Sequence, residues 1–261
     1  MRRSLFNYRQ RRKFNLATKL VFLPGTLCDE RLWGATIRAL SNRWQCVPVD
    51  YGFEDSISAM ATKALVENAG SIIPIGLSMG GMVALEMWRQ APERVVAMAL
   101  FDTDCGADTS ERRIKRDAQI LKAVHGDFRR MVETQLAPAY FSNTAVIDSG
   151  TLNTSGAAPR PLHDLILEMA LDLGVATFAA QITALATRSD LWRQIEKINV
   201  PTFVACGVDD KICPPELHRK MAALIPLAKF ISIPGASHLP PLEQPDVTTF
   251  ALRSWLHNLD I

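Results

Sequence analysis

A chain of 261 residues with 48% hydrophobic content has apolar material for one large α/β domain or two small ones. Its 29 Lys and Arg against 27 Asp and Glu leave a formal charge of +2, which argues against a nucleic-acid groove or an acidic-lipid anchor as the main business of the chain. No run reads as a membrane span, and five cysteines without a Cys-x-x-Cys pair suggest reduced thiols in a cytoplasmic protein rather than a disulfide or zinc framework.

Residues 1 to 19 hold seven cations, and the first acid in the chain is Asp29. With no apolar h-region, this segment reads as a flexible basic tail, not a secretory signal. From Leu20 the pattern is regular. Leu20 to Pro24 reads as a buried strand, Gly25 to Cys28 as a loop, and Asp29 as the N-cap of a helix carrying Leu32, Trp33, Ile37 and Leu40. Trp44 to Asp50 is a second strand and Ile57 to Asn68 a second helix. A third strand starts at Ser71 and runs into a helix over Met82 to Gln90, and a fourth spans Val95 to Phe101. Pro74 falls inside the third strand, where it removes a ladder donor, so a local irregularity is predicted there. Strands apolar on both faces and alternating with helices imply a mostly parallel sheet covered by helices on both sides.

The alternation stops between Cys105 and Asp190. One helical signal there carries Ile114, Ala118 and Leu121, with Arg112, Arg113, Lys115 and Arg116 elsewhere on the turn; another runs from Leu162 to Leu173, and Ser142 to Pro161 looks like a loop. The apolar stripes are read as core and the arginines as a wet face. The sheet resumes at Val200 to Cys206 and ends at Ala228 to Ile233. A helix over Glu216 to Ile225 lies between these strands, and another over Pro245 to Leu259 closes the chain. The predicted organisation is therefore a tail over 1–19, a core over 20–104 and 191–261, and a helical cap over 105–190.

The chemistry concentrates at Gly76-Leu-Ser78-Met-Gly80, where a strand turns sharply into a helix and the turn residue's side chain is left projecting from the sheet edge. Asp210 and His238 also fall just beyond strand ends, where ligands of such sheets bind. A serine hydroxyl becomes a nucleophile when an imidazole takes its proton, and a carboxylate fixes that imidazole's tautomer. Ser78, His238 and Asp210 are thus the candidate nucleophile, base and acid, with the backbone N–H groups of Thr26 and Met79 as candidate oxyanion donors. Leu27, Trp33, Tyr140 and Phe141 are candidate substrate contacts, with Trp33 read first as core and pocket lining as its alternative. Asp209, Asp102 and Asp104 are rival acids, Asp50 is read as a cap or loop residue, and Cys28 as a packed thiol. His125, His163, His218 and His257 are read as surface residues.

Four motifs carry a resemblance to the α/β-hydrolase fold from Leu20 to the end of the chain: Leu23-Pro-Gly25, Gly76-Leu-Ser-Met-Gly-Gly81, Gly207-x-x-Asp210-x-x-x-Pro214, and Gly235-x-x-His238-x-x-Pro241-x-Glu243-x-Pro245. The resemblance implies the same three residues as a triad and the Cys105–Asp190 block as the cap. Pro24 stands where most members have a histidine. The family also usually begins with two extra antiparallel strands, for which nineteen basic and polar residues leave little room, so the sheet is expected to be one or two strands short. The expected activity is hydrolysis of an ester, lactone or thioester of a small, largely apolar substrate, with no metal or other cofactor and no nucleic-acid partner. Carbon–carbon bond hydrolysis on the same triad, or ligand sensing with little turnover, are the alternatives.

Overall fold

Six strands form one wholly parallel sheet in the order β2-β1-β3-β4-β5-β6. They are β1 Lys19–Leu23, β2 Gln45–Pro48, β3 Ile72–Leu77, β4 Met98–Phe101, β5 Thr202–Gly207 and β6 Ala228–Ile233. The computed structural model describes residues 18–141 and 162–259. Nearly all of the basic tail, where any additional strands would fall, and the loop expected over 142–161 lie outside the described residues. The central strands β3, β4 and β5 are buried at every residue, as a sheet covered on both faces requires, while edge strands β2 and β6 are partly exposed.

Pro74 has the predicted consequence. It pairs in register with Val21 of β1, but the β3–β4 ladder is broken beside it: Ile72 bridges Val95, and pairing resumes at Ile75 with Ala99. Between these pairs two residues on β3, Ile73 and Pro74, oppose three on the other side, Val96 to Met98. The regular ladder is interrupted on the side where the residue without N–H falls.

The chain steps from β1 outward to β2, then back past β1 to β3 and onward. Right-handed crossovers therefore set the first helix on one face and its successors on the other. That first helix, α1 (Gly34–Leu40), is preceded by a 3₁₀ turn at Glu30–Trp33 whose first N–H groups are capped by Asp29. It packs beside the C-terminal helix Pro245–His257, and Thr36 and Thr249 share a hydrogen bond of 3.0 Å between them. Beneath this pair Phe22, Trp33, Phe101, Phe203 and Trp255 stack in a row, with successive centroids 5.4 to 5.7 Å apart. Trp33 is consequently core and not a substrate contact: it is wholly buried between Phe22 and Phe101, with its indole N–H donated to the Leu23 carbonyl. Helices α2 (Ile57–Glu67) and α3 (Met79–Gln90) pack together on the other face.

Between β4 and β5 the chain forms helices only, among the described residues. These include α4 (Ser110–His125), α5 (Phe128–Met131), α6 (Ala137–Tyr140) and α7 (Leu162–Thr187). A π turn at Val132–Leu136 joins α5 to α6, and the Ala137 N–H bonds to the Val132 carbonyl five residues back. Pro138 accounts for it, since proline has no N–H and its ring crowds the carbonyl four residues earlier.

One sequence reading of this block is corrected. By length and composition alone α7 would pass for a membrane span. Gly174 breaks it at φ 79°, ψ 168°, backbone that only glycine adopts readily, and Ile166, Met169, Phe178 and Ile182 are buried in the protein. Helix α4 is turned the other way from its predicted orientation: Ile114, Leu121 and Val124 are 69%, 60% and 52% exposed, while Ala123 is buried. Its apolar stripe is not core.

Candidate active site

Among the described residues three non-glycine residues have positive φ, and all lie at or just beyond the carboxyl ends of neighbouring strands: Leu27 (63°) after β1, Ser78 (55°) after β3 and Asp102 (44°) after β4. Each costs of order 1 to 3 kcal/mol of backbone strain, and such strain collects where the surrounding structure fixes a functional geometry. The β1/β3 boundary is also where the strand order reverses, the place where an open α/β sheet leaves a crevice.

At Ser78 the glycines are required by contact. A Cβ on Gly76 would lie 2.1 Å from the Gly80 carbonyl oxygen, and one on Gly80 would lie 2.1 Å from the Leu23 carbonyl oxygen. With both bare, β1, β3 and the start of α3 close on one another, and Ser78 is held at the turn. Thr103 supports it from β4's side by donating its hydroxyl to the Ser78 carbonyl at 2.7 Å.

The structure brings the predicted acid, base and nucleophile together. His238 Nε2 is 3.0 Å from Ser78 Oγ, and His238 Nδ1 is 2.9 Å from Asp210 Oδ2. Asp210 Oδ1 also accepts the backbone N–H groups of Ile212 and Cys213 at 2.8 and 3.1 Å. Burial opposes charge on Asp210, but the His238 hydrogen bond and charge and these two N–H groups outweigh it and hold the carboxyl below its ordinary range. Asp209 does not compete, because its exposed side chain lies outside this arrangement.

Asp102, the rival acid, sits behind Asp210. It accepts the Gly207 N–H at 2.8 Å, and its other oxygen is buried without a partner among the described residues. Burial and the adjacent Asp210 charge push its carboxyl well above the usual range, which disfavours the anion that orienting a base requires. Asp104 is instead drawn to Arg112 and Arg188, at 3.5 and 3.7 Å.

Several supporting residues went unread in the sequence. His218, taken for a surface residue, is wholly buried. It accepts the Thr103 N–H at 2.9 Å on Nε2 and faces the Pro214 carbonyl at 3.2 Å with Nδ1, tying the Asp210 loop to the residue that supports Ser78. Glu243 accepts the N–H groups of Ser237 and Leu239, at 3.0 and 2.8 Å, on either side of His238. Burial pushes its carboxyl up to about 7 against the pull of those donors. Gln181 of α7 accepts the N–H of strained Leu27 at 3.0 Å. One signal was available: Thr177 and Gln181 are polar residues one turn apart in the apolar stretch from Val175 to Ile182.

A cavity of about 330 Å³ opens onto Ser78 and His238 and is lined by Thr26, Leu27, Tyr140 and side chains of α4 and α7. Tyr140 stacks on the His238 ring at 5.5 Å, accepts the His238 N–H on its carbonyl at 3.1 Å and donates its hydroxyl to the Thr26 carbonyl at 3.0 Å. Phe141 does not line the cavity. It is buried beside His163, with ring centroids 4.9 Å apart. The N–H groups of Thr26 and Met79 donate no hydrogen bond among the described residues, and Gly25 brings the Thr26 loop against the turn, since its Cβ would lie 3.3 Å from that of Ser78.

Asp210, Cys213 and His238 also place potential metal donors within 4.8 Å of one another. Burial keeps the Cys213 thiol protonated, whereas a ligating cysteine must be a thiolate. The Asp210–His238 hydrogen bond accounts for the closeness of the other two.

A sequence profile described as the Alpha/beta hydrolase family matches residues 20–250. The chain belongs to that family. Among similar proteins, a Bacillus subtilis (strain 168) protein named provisionally as a 2-succinyl-6-hydroxy-2,4-cyclohexadiene-1-carboxylate synthase is 29% identical over 66% of this chain and 60% of its own length. A pimeloyl-[acyl-carrier protein] methyl ester esterase from Edwardsiella ictaluri (strain 93-146) is 25% identical over 89% of this chain and 91% of its own. A thermophilic esterase from Thermogutta terrifontis, solved with malate bound, superposes with a TM-score of 0.83 at 27% identity, covering 94% of this hydrolase and 91% of the esterase.

Proposed function

We propose that this hydrolase cleaves an ester, lactone or thioester of a small substrate through an acyl-enzyme on Ser78, with the helices between β4 and β5 as a cap over the site. The observation that carries this reading is the unbroken hydrogen-bond chain from Ser78 Oγ through His238 to Asp210 at the cavity wall. His238 Nε2 takes the Ser78 proton as Oγ bonds to the carbonyl carbon, and Asp210 steadies the imidazolium. The N–H groups of Thr26 and Met79 receive the oxyanion; one such donor is typically worth about 3 to 4 kcal/mol. The intermediate collapses with cleavage of the carbonyl–oxygen or carbonyl–sulfur bond, and His238 gives its proton to the departing alcohol or thiol. Water then attacks the acyl-enzyme with His238 again as base, releasing the acid and restoring Ser78. The relatives named as esterases support the bond type.

A fluorophosphonate probe tests the reading. Stoichiometric labelling of Ser78, abolished in His238→Ala, is expected. An unreactive Ser78 in folded protein overturns it and favours a ligand-sensing protein on the same fold.

A further inference from the structure

Arg112, Lys115, Arg116 and Gln119 recur at helical spacing on α4, and all four line the cavity that holds Ser78 and His238. Ile114, Leu121 and Val124 face solvent on the same helix. A helix packed only for stability would turn the other way and bury its apolar stripe.

Arg188, just beyond α7, adds a fourth cation to the lining. Among the described residues two carboxylates, Asp108 and Asp104, pair with this group, and exposed Glu111 lies one turn before Lys115. Asp108 is buried, paired with Arg188 at 2.7 Å and with Arg116 through Nε. Asp104 reaches Arg188 and Arg112 only at 3.7 and 3.5 Å. Positive charge is therefore in excess at the cavity wall. Among the described residues the terminal nitrogens of Arg116 donate no hydrogen bond, and Lys115 makes no hydrogen bond or close ion pair. The rest of the cavity is largely apolar, with Leu27, Leu136, Phe178, Ile182 and Leu185 in its wall.

We propose that the cationic face of α4 is a subsite for an anionic group on the substrate, so that the preferred ester carries a carboxylate at the end remote from the scissile bond. The assignment rests on the ester reading of the Ser78 site and narrows it. An anion held among guanidinium groups in a partly desolvated cavity gains charge-assisted, often bidentate hydrogen bonds, while the intervening methylenes lie on the apolar wall.

The test compares kcat/KM for monomethyl adipate and methyl hexanoate by pH-stat, in full-length protein at low salt. The adipate ester is expected to be favoured about tenfold or more, the effect of one charge pair worth a tenfold affinity change, and the advantage should shrink in high salt. In the Arg112→Gln/Lys115→Gln double variant the ratio should fall toward unity; in Arg113→Gln, on the same helix but outside the lining, it should hold. A variant that is merely damaged loses both substrates alike and leaves the ratio unchanged. Equal or better use of methyl hexanoate by the wild type, or a ratio retained in the double variant, overturns the subsite. If neither ester turns over, the ester reading has failed, and adipate binding by calorimetry still decides the subsite: binding lost in the double variant supports it, and no binding to the wild type rejects it.

Discussion

Helices α3 and α4 both contribute to the lining of one cavity and are built on opposite plans. Helix α3 buries Met79, Val83, Ala84, Leu85 and Met87 against the sheet and leaves Gln90 at its outer end. Helix α4 exposes Ile114, Leu121 and Val124 and lines the cavity with Arg112, Lys115 and Arg116. The same hydrophobic periodicity therefore reads correctly in one helix and inverted in the other. Around α3 the apolar contacts of the sheet decide orientation. In α4 the polar side of the helix meets a buried acid, Asp108, whose pairing with Arg116 and Arg188 outweighs exposure of three aliphatic side chains. An unpaired charge in an interior costs several kcal/mol, more than an exposed leucine.

The contrast can be broken in a definite order of effect. On the α3 side, Ser78→Ala should lower kcat for any cleaved ester by about five to six orders of magnitude, as nucleophile removal does in other triads. Ester hydrolysis within tenfold of wild type would detach the chemistry from the turn before α3. Next comes the core beneath: Phe101→Ala empties a fully buried site between Trp33 and Phe203 and should cost about 3 to 5 kcal/mol in urea denaturation, and a loss under 1 kcal/mol would contradict the stacked row.

Glu243→Gln probes the loop that carries His238. The folded carboxyl titrates at about 7, above its ordinary 4.5, so its contribution to stability is fully present below about 4.5 and is lost as pH rises through 7. Replacement should flatten the fall in Tm between pH 5 and 8, a slope worth on the order of 3 kcal/mol across the window. It should also lower kcat more than it raises KM, because the Ser237 and Leu239 N–H groups both donate to Oε1, and a neutral amide oxygen holds them less strongly than a carboxylate and loses the second Ser237 contact at Oε2. An unchanged pH slope would show that Glu243 does not titrate there. The smallest effect belongs to α4: Leu121→Gln should change stability by less than about 0.5 kcal/mol, and a loss of 2 kcal/mol would mean that this face is covered.

Much of the sheet was legible because parallel strands buried on both faces write continuous apolar runs, and the strands begin and end within a few residues of their predicted bounds. Pro74 was legible as well, as a defect whose effect is local. The strained turn at Ser78 could be read from two glycines four residues apart, since backbone contact there tolerates no Cβ. Phe141 and His218 were not legible, because a phenylalanine after a π turn and a histidine in a charged helix carry no local mark of what will pack on them.

The sequence alone determined the alternation of strand and helix, the sharp turn at Ser78 and the order in which Ser78, Asp210 and His238 arrive, for these depend on neighbours a few residues away. Only the tertiary structure decided that the imidazole meets the hydroxyl at 3.0 Å, that His218 and Glu243 brace the loops behind them, and that Arg112, Lys115 and Arg116 of α4 line the cavity. Those outcomes depend on burial, and burial is a property of what the distant chain places against a residue.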